Sequence, residues 1–415
     1  MEPLPVDILQ LQRRDPAAWS ALLARGAGEA IVTAVTAEAL CRPAIVPPSV
    51  APPGRAAGGA RRYVLTLADC SDPITFIAKQ TNETEAALYR RYGDPPGAAL
   101  PACRYVHLDG DDSWVVLNDV PDHFPPAAWT PAHADAAAAT LARFHAAHWN
   151  QDARAEWDEP PIPHFLHRPT GPYRWDEVRR FAPSLAGDGP EAVLSRHAVR
   201  QAERLAPRLA RAAVGLLALR RWDGWPGVID GAHLAAVADL LDDPLPMLAT
   251  LRELPTTLLH GAPHPRHWRL SLFDECVLID WSEAQIGPGV LDLAAFLEGY
   301  PLAYNRPAGD CASGTAELRL RPLTPLLEET LVDTYLVTLS AELGGRAAAR
   351  ATRAALPAAR CLFVLLTWLP FLADWAAEMP DGTTLPCAAS PHDAAPFAHY
   401  LTATFERFLR AYRAL

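Results

Sequence analysis

Well before its midpoint the sequence changes its hydrophobic period, and few folds accommodate such a change. Up to residue 120 the pattern is short and largely strand-like. RRYVLTLA (61–68) and PITFIAK (73–79) are rich in β-branched and aromatic residues and flank the turn-like DCSD, the mark of a hairpin that ends at Lys79. SWVVLNDV (113–120) reads as another strand. Between them ETEAALYRRY (83–92) has helical spacing, which puts Glu85, Leu88 and Tyr89 near one face. A short helix over 15–30 comes first, IVTAVTAEAL (31–40) reads as a strand or as that helix's continuation, and the Pro-, Gly- and Ala-rich 42–60 reads as a loop. From about 123 onward the period is helical. Helices are expected over 131–149, 190–221, 231–252, 323–343, 346–377 and 393–414, with CVLIDW (276–281) the one strand signature among them. The expected class is α+β: a small N-terminal antiparallel-sheet lobe over 1–120 and a large, mostly helical C-terminal lobe over 121–415.

Composition narrows the function classes. With half of 415 residues hydrophobic and a fifth charged, the chain can bury a large core and is not disordered. A formal net charge of -11 argues against nucleic-acid binding and fits a cationic or neutral small ligand. The cysteines at 41, 70, 103, 276, 311, 361 and 387 form no CxxC pair and read as reduced, mostly buried thiols. MEPLPVD has neither a basic nor an apolar region of the kind a secretory signal needs. LFVLLTWLPFLA (362–373) is too short to span a bilayer, so a cytoplasmic location with no membrane partner is expected. One feature is sharper: among 37 Lys and Arg residues there is a single lysine, Lys79. A compact ammonium and a planar guanidinium are not interchangeable, so two readings of position 79 stay open: a site that needs the point charge, or a chance survivor on the surface.

Phosphoryl transfer from ATP requires positioned positive charge, acidic metal ligands and an oriented hydroxyl. Lys79 ends a strand and Glu85 follows six residues later in a helix. LLHGAPHPRHW (258–268) forms a loop, CVLIDW places Asp280 at a strand end, and GPGVLDLAAFL (287–297) supplies Asp292. These stretches, with LARFHAAHW (141–149) and WVVLNDV (114–120), occur in the order and spacing of a known family. The sequence resembles the aminoglycoside phosphotransferase and choline kinase-like group over almost its whole length.

The resemblance implies a bilobal protein-kinase-like fold that uses ATP and Mg²⁺ on a small-molecule hydroxyl. Lys79 would be the phosphate-binding lysine and Glu85 its partner, with Glu83 as an alternative. Leu117, Asn118, Asp119 and Val120 would form the hinge that meets adenine. Asp280 would be the principal metal ligand, His260 and Gly261 the first two positions of the catalytic loop, and Asp292 its brace.

Three departures accompany the match. Ala262 occupies the place of the catalytic aspartate. His267 occupies that of a metal-binding asparagine, and imidazole suits transition metals better than magnesium. No GxGxxG-like phosphate cradle is legible in 38–60. His264 is the first candidate for a substitute base, followed by Glu283 and Asp230. Trp149, Trp157, Trp175, Trp222 and Trp225 are candidates for an aromatic cleft or for core packing. Three readings stay open at this point: an impaired, pseudokinase-like protein that keeps a ligand cleft; an active phosphotransferase using His264 or substrate assistance; and a non-nucleotide protein that binds a protein partner.

Overall fold

A computed structural model of the chain describes residues 7–27, 30–40, 59–93, 99–150, 162–168, 170–182, 189–221, 225, 227–272, 276–302, 323–378 and 391–415. The loop expected over 42–60 lies almost wholly outside these residues, as do Trp157, Trp222, Cys41, Cys311 and Cys387. The described cysteines, Cys70, Cys103, Cys276 and Cys361, are free thiols.

Two short helices, α1 (Ile8–Gln12) and α2 (Pro16–Ala27), lead into β1 (Val32–Ala39), β2 (Arg61–Leu67) and β3 (Ile74–Thr81). Helix α3 (Glu83–Tyr92) follows, then β4 (Cys103–His107) and β5 (Ser113–Asn118). The five strands form one antiparallel sheet in the order β1-β2-β3-β5-β4. Alternation assigns its faces. Tyr63, Leu65, Phe76, Ala78 and Val116 pack with Leu11, Trp19 and Leu22 of the two N-terminal helices in one core. Val115 and Leu117 point the other way and join Ala86, Leu88 and Tyr89 of α3 in a second core that continues into the rest of the molecule. Lys79, out of phase with Phe76 and Ala78, is therefore on the α3 face.

The second lobe is mainly helical: α4 (Pro131–Ala147), α5 (Trp175–Arg179), α6 (Arg196–Ala202), α7 (Ala206–Arg221), α8 (Gly231–Asp242), α9 (Leu245–Arg252), then α10 (Val290–Gly299), α11 (Pro325–Glu342), α12 (Ala347–Phe363), α13 (Leu369–Glu378) and α14 (Pro391–Tyr412). The chain thus adopts the α+β, two-lobe layout expected from its sequence. α4 lies along α11 and α7 along α13. A buried ion pair between Arg407 Nη2 and Glu298 Oε2, 2.6 Å, ties α14 to α10.

Four short strands between α9 and α10 position the site: β6 (Thr257–Leu259), β7 (Trp268–Leu270), β8 (Cys276–Leu278) and β9 (Gln285–Gly287). β6 pairs with β9 and β7 with β8, so residues 260–267 and 279–284 are two loops sprung from the same pair of ladders. Only β8 carried a strand signature.

Some expectations need revision. The helix expected over 190–221 is broken at Glu203, whose φ is +48°, and that over 231–252 is broken before Pro244, where the preceding residue is kept out of helical geometry. Over 347–374 the helix runs without a break, α12 joining α13 through a five-residue π turn at Val364–Trp368. It has 28 residues and is therefore long and apolar enough to cross a bilayer, contrary to the length argument from the sequence. Its most apolar window is 72% buried inside the fold, which marks it as a core helix.

Candidate active site

The lobes meet at Lys79. Its Nζ lies 2.6 Å from Asp280 Oδ1 and 2.8 Å from Glu85 Oε2, with the side chain almost fully buried. Burial alone would lower its pKa; Glu85 and then Asp280 outweigh that and hold it above the ordinary value, so the ammonium stays charged. Glu85 is placed by its helix start: the Asn82 side chain caps α3 by accepting the Glu85 amide at 2.9 Å. The fully buried carboxylate also accepts from the Trp281 amide at 3.0 Å and from the Thr81 hydroxyl. Asn82 Nδ2 donates to the Ser282 carbonyl at 2.7 Å, so the first turn of α3 is fastened directly to the turn after Asp280. Glu83 is exposed on the other side of the helix, which leaves Glu85 as the partner of Lys79.

Asp292, in the first turn of α10, accepts from the His260 amide at 2.7 Å and the Gly261 amide at 2.9 Å, one on each oxygen. His145 of α4 stands 3.3 Å from the same carboxylate, and its other ring nitrogen is 2.7 Å from Tyr335 Oη of α11. The loop is thus braced through three helices. Gly261 has φ +84°, and a Cβ there would lie 2.1 Å from the Glu283 carbonyl oxygen; only glycine allows the two loops to come so close.

The loop histidines have separate tasks. His260 is fully buried and stacks on Trp281; its Nε2 donates to the Ile279 carbonyl at 3.0 Å and its Nδ1 accepts from the Ala262 amide at 3.2 Å. His264 caps the following turn through the Arg266 amide at 3.3 Å, and its ring packs against Gly299. Burial, then Arg266 and His267, push its pKa well below the usual value. Both rings are occupied with holding the loop. His267 Nδ1 donates to the Ala262 carbonyl at 2.7 Å, which leaves the Nε2 lone pair facing Asp280 Oδ2 at 3.9 Å. Burial lowers its pKa to about 4 against the pull of Asp280, so the ring is neutral at pH 7. This donor set, one carboxylate and one imidazole nitrogen, does not fit magnesium, which demands oxygen; it fits a transition metal completed by ligand oxygens.

In the expected hinge, the Asn118 and Asp119 amides are taken by the Ala102 and Thr75 carbonyls at 2.9 and 3.2 Å. The Val120 amide makes no hydrogen bond among the described residues. Asp230 is the N-cap of α8 and joins His233 in a capping box there. Trp225 is buried, and Trp149 and Trp175 pack against the main core. The sequence reading missed Thr81, Trp281, His145 and Tyr335 as supports. The Asn82…Glu85 spacing was a visible helix-start signal for the capping of Glu85.

Together these residues bring one buried, charged lysine, the Asp280 carboxylate and the neutral His267 imidazole against a braced loop. No protein-family model matches the chain, and no curated protein does. Among solved structures it is similar to a choline/ethanolamine kinase family protein from Mesorhizobium loti, at 15% identity and a TM-score of 0.41, covering 85% of this chain and 89% of that one. An aminoglycoside phosphotransferase from Alicyclobacillus acidocaldarius gives 15% identity, the same coverage and a TM-score of 0.40. A choline kinase from Cryptosporidium parvum gives 10% identity over 91% of this chain and 89% of that one, with a TM-score of 0.45. These neighbours carry the names of the group that the sequence motifs resemble.

Proposed function

We propose that the chain is an aminoglycoside phosphotransferase-like protein that binds a nucleotide such as ATP with a divalent metal, and whose phosphoryl-transfer step is impaired. The observation that carries this reading is Lys79: the only lysine of the chain is kept charged in a buried cleft between Glu85 and Asp280. Such a cation suits nucleotide phosphates, with the free Val120 amide at hand for the base.

The surroundings of Ala262 support the impaired reading. The methyl group cannot accept a proton, His260 and His264 are engaged in the loop, and no other imidazole stands in for the missing carboxylate among the described residues. Loss of a general base costs about a hundredfold or more in rate. One observation favours a second reading, slow residual turnover on a small-molecule hydroxyl. Glu283 is an exposed carboxylate whose backbone touches Gly261, and it makes no hydrogen bond or ion pair among the described residues.

Thermal unfolding with AMP-PNP, in the presence of Mn²⁺ or Mg²⁺, tests the first reading. Stabilisation of about 2 °C or more, absent in Lys79→Ala, is expected. No shift at millimolar nucleotide would overturn nucleotide binding and favour a partner-binding role. The pair Ala262→Asp and His267→Asn should raise ATP turnover over the parent chain.

A further inference from the structure

Arg204 lies in the 3₁₀ turn Glu203–Leu205 that leads into α7, and Arg208 one helical turn later on α7 itself. Backbone bonds fix where this turn sits. The Arg204 amide donates to the Leu166 carbonyl at 3.0 Å, and the Phe165 amide donates to the Ile286 carbonyl at 2.7 Å. The turn is therefore one chain-width from β9, the strand that begins two residues after Glu283.

Most arginines near the cleft are paired. Arg62 holds Asp119 at 2.7 Å, Arg168 holds Glu177 at 2.7 Å and stacks on Tyr173, and Arg211, one turn beyond Arg208, is bound to Asp374. Arg204 and Arg208 are exposed, and neither forms an ion pair with any described residue. Arg208 reaches only the Leu366 carbonyl, at 3.5 Å, the outer limit of a hydrogen bond. The carboxylate that bears on both is Glu283, and it lies beyond the 4.0 Å of an ion pair. Burial lowers the pKa of both guanidiniums, although both side chains reach solvent. Two cations and one acid are thus within electrostatic reach of one another on the side of the fold where Glu283 meets Gly261, and none of them forms an ion pair among the described residues. In a chain with 48 acidic residues against 37 basic ones, unpaired arginines are not for want of acids.

We propose that Arg204 and Arg208 grip the anionic group, carboxylate or phosphate, of a small hydroxylated ligand on the acceptor side of the cleft, with Glu283 facing its hydroxyl. The proposal rests on reading the cleft as phosphotransferase-like. It replaces the cationic or neutral ligand that net charge suggested: the field at the site is local, whereas -11 is a property of the whole surface. The forked donors of two guanidiniums one turn apart match the planar oxygens of either anion.

The test titrates inorganic phosphate and, separately, L-malate, at constant ionic strength, against the thermal stability of four proteins. These are the parent chain, Arg204→Gln/Arg208→Gln, Lys79→Ala, and Arg220→Gln as a control on the far end of α7. At least one anion should stabilise the parent, Lys79→Ala and Arg220→Gln alike, and bind about tenfold or more weakly to the double variant. Arg204→Lys/Arg208→Lys, which keeps the charge but not the fork, should fall between. Which anion acts separates a carboxylate ligand from a phosphate one. The proposal is overturned if neither anion stabilises the parent, if the double variant responds as the parent does, or if Lys79→Ala is the variant that loses the response. AMP-PNP binding is read in the same proteins. Its absence from the parent would remove the phosphotransferase-like reading and leave the anion result standing on its own.

Discussion

In the proposed nucleotide site, the choice of metal would turn on a single side chain. The Nδ1 hydrogen bond of His267 to the Ala262 carbonyl orients the ring, so the nitrogen offered to Asp280 is an unprotonated one. Soft and borderline cations gain from that nitrogen, and magnesium does not. Co²⁺ or Zn²⁺ should therefore support AMP-PNP binding better than Mg²⁺, and His267→Asn should reverse the order. Calorimetric titration of nucleotide with each metal reads this directly, and an unchanged order in the variant would remove His267 from the metal site. The same residue shows why a motif is read by chemistry and not by position alone. His264 and His267 both belong to a histidine-rich loop, yet one caps a turn and the other looks into the cleft.

Among the elements, α7 and α13 cross where Gly215 leaves room. A Cβ at that position would lie 2.0 Å from the Leu369 carbonyl oxygen and 2.8 Å from its carbon. In an exposed helix Gly→Ala adds about 1 kcal/mol of stability. Here the new methyl must push backbone against backbone, so Gly215→Ala should instead destabilise by about 1–3 kcal/mol in chemical denaturation. Much of this scale was legible in the sequence, and the exceptions have physical reasons. β2, β3, α3 and β5 announced themselves through β-rich composition or helical spacing, and Lys79 was placed at the end of its strand. β6, β7 and β9 have three residues each, too few to display any period. The fastening of Asn82 to Ser282 joins positions 200 residues apart and leaves no local trace. Arg204 and Arg208 were hidden for another reason: in an arginine-rich chain an unpaired guanidinium looks like any other until its neighbours are known.

For the whole molecule, His148 couples stability to pH. It closes α4 between Tyr92 of α3 and Phe144, and burial, then His145, lowers its pKa to about 4. The unfolded chain, with an ordinary histidine near pH 6.5, binds the proton more readily. This contribution is complete above that value and is lost as pH falls from about 6.5 toward 4. The parent should lose on the order of 2 kcal/mol over that window through this residue, and His148→Gln should show a flatter profile of melting temperature against pH.

The sheet has a further consequence for how the chain can be divided. Its two faces are in separate cores, and the face carrying Val115 and Leu117 is covered partly by α3 and partly by material beyond residue 130. A fragment ending after β5 would keep its helical backing on one side and, with α3 alone left on the other, present a partly uncovered apolar floor. Proteolysis or truncation between the lobes would yield a sticky half-sandwich rather than a tractable small domain. The chain reads as two lobes to the eye, and hydrophobic contact makes it one piece.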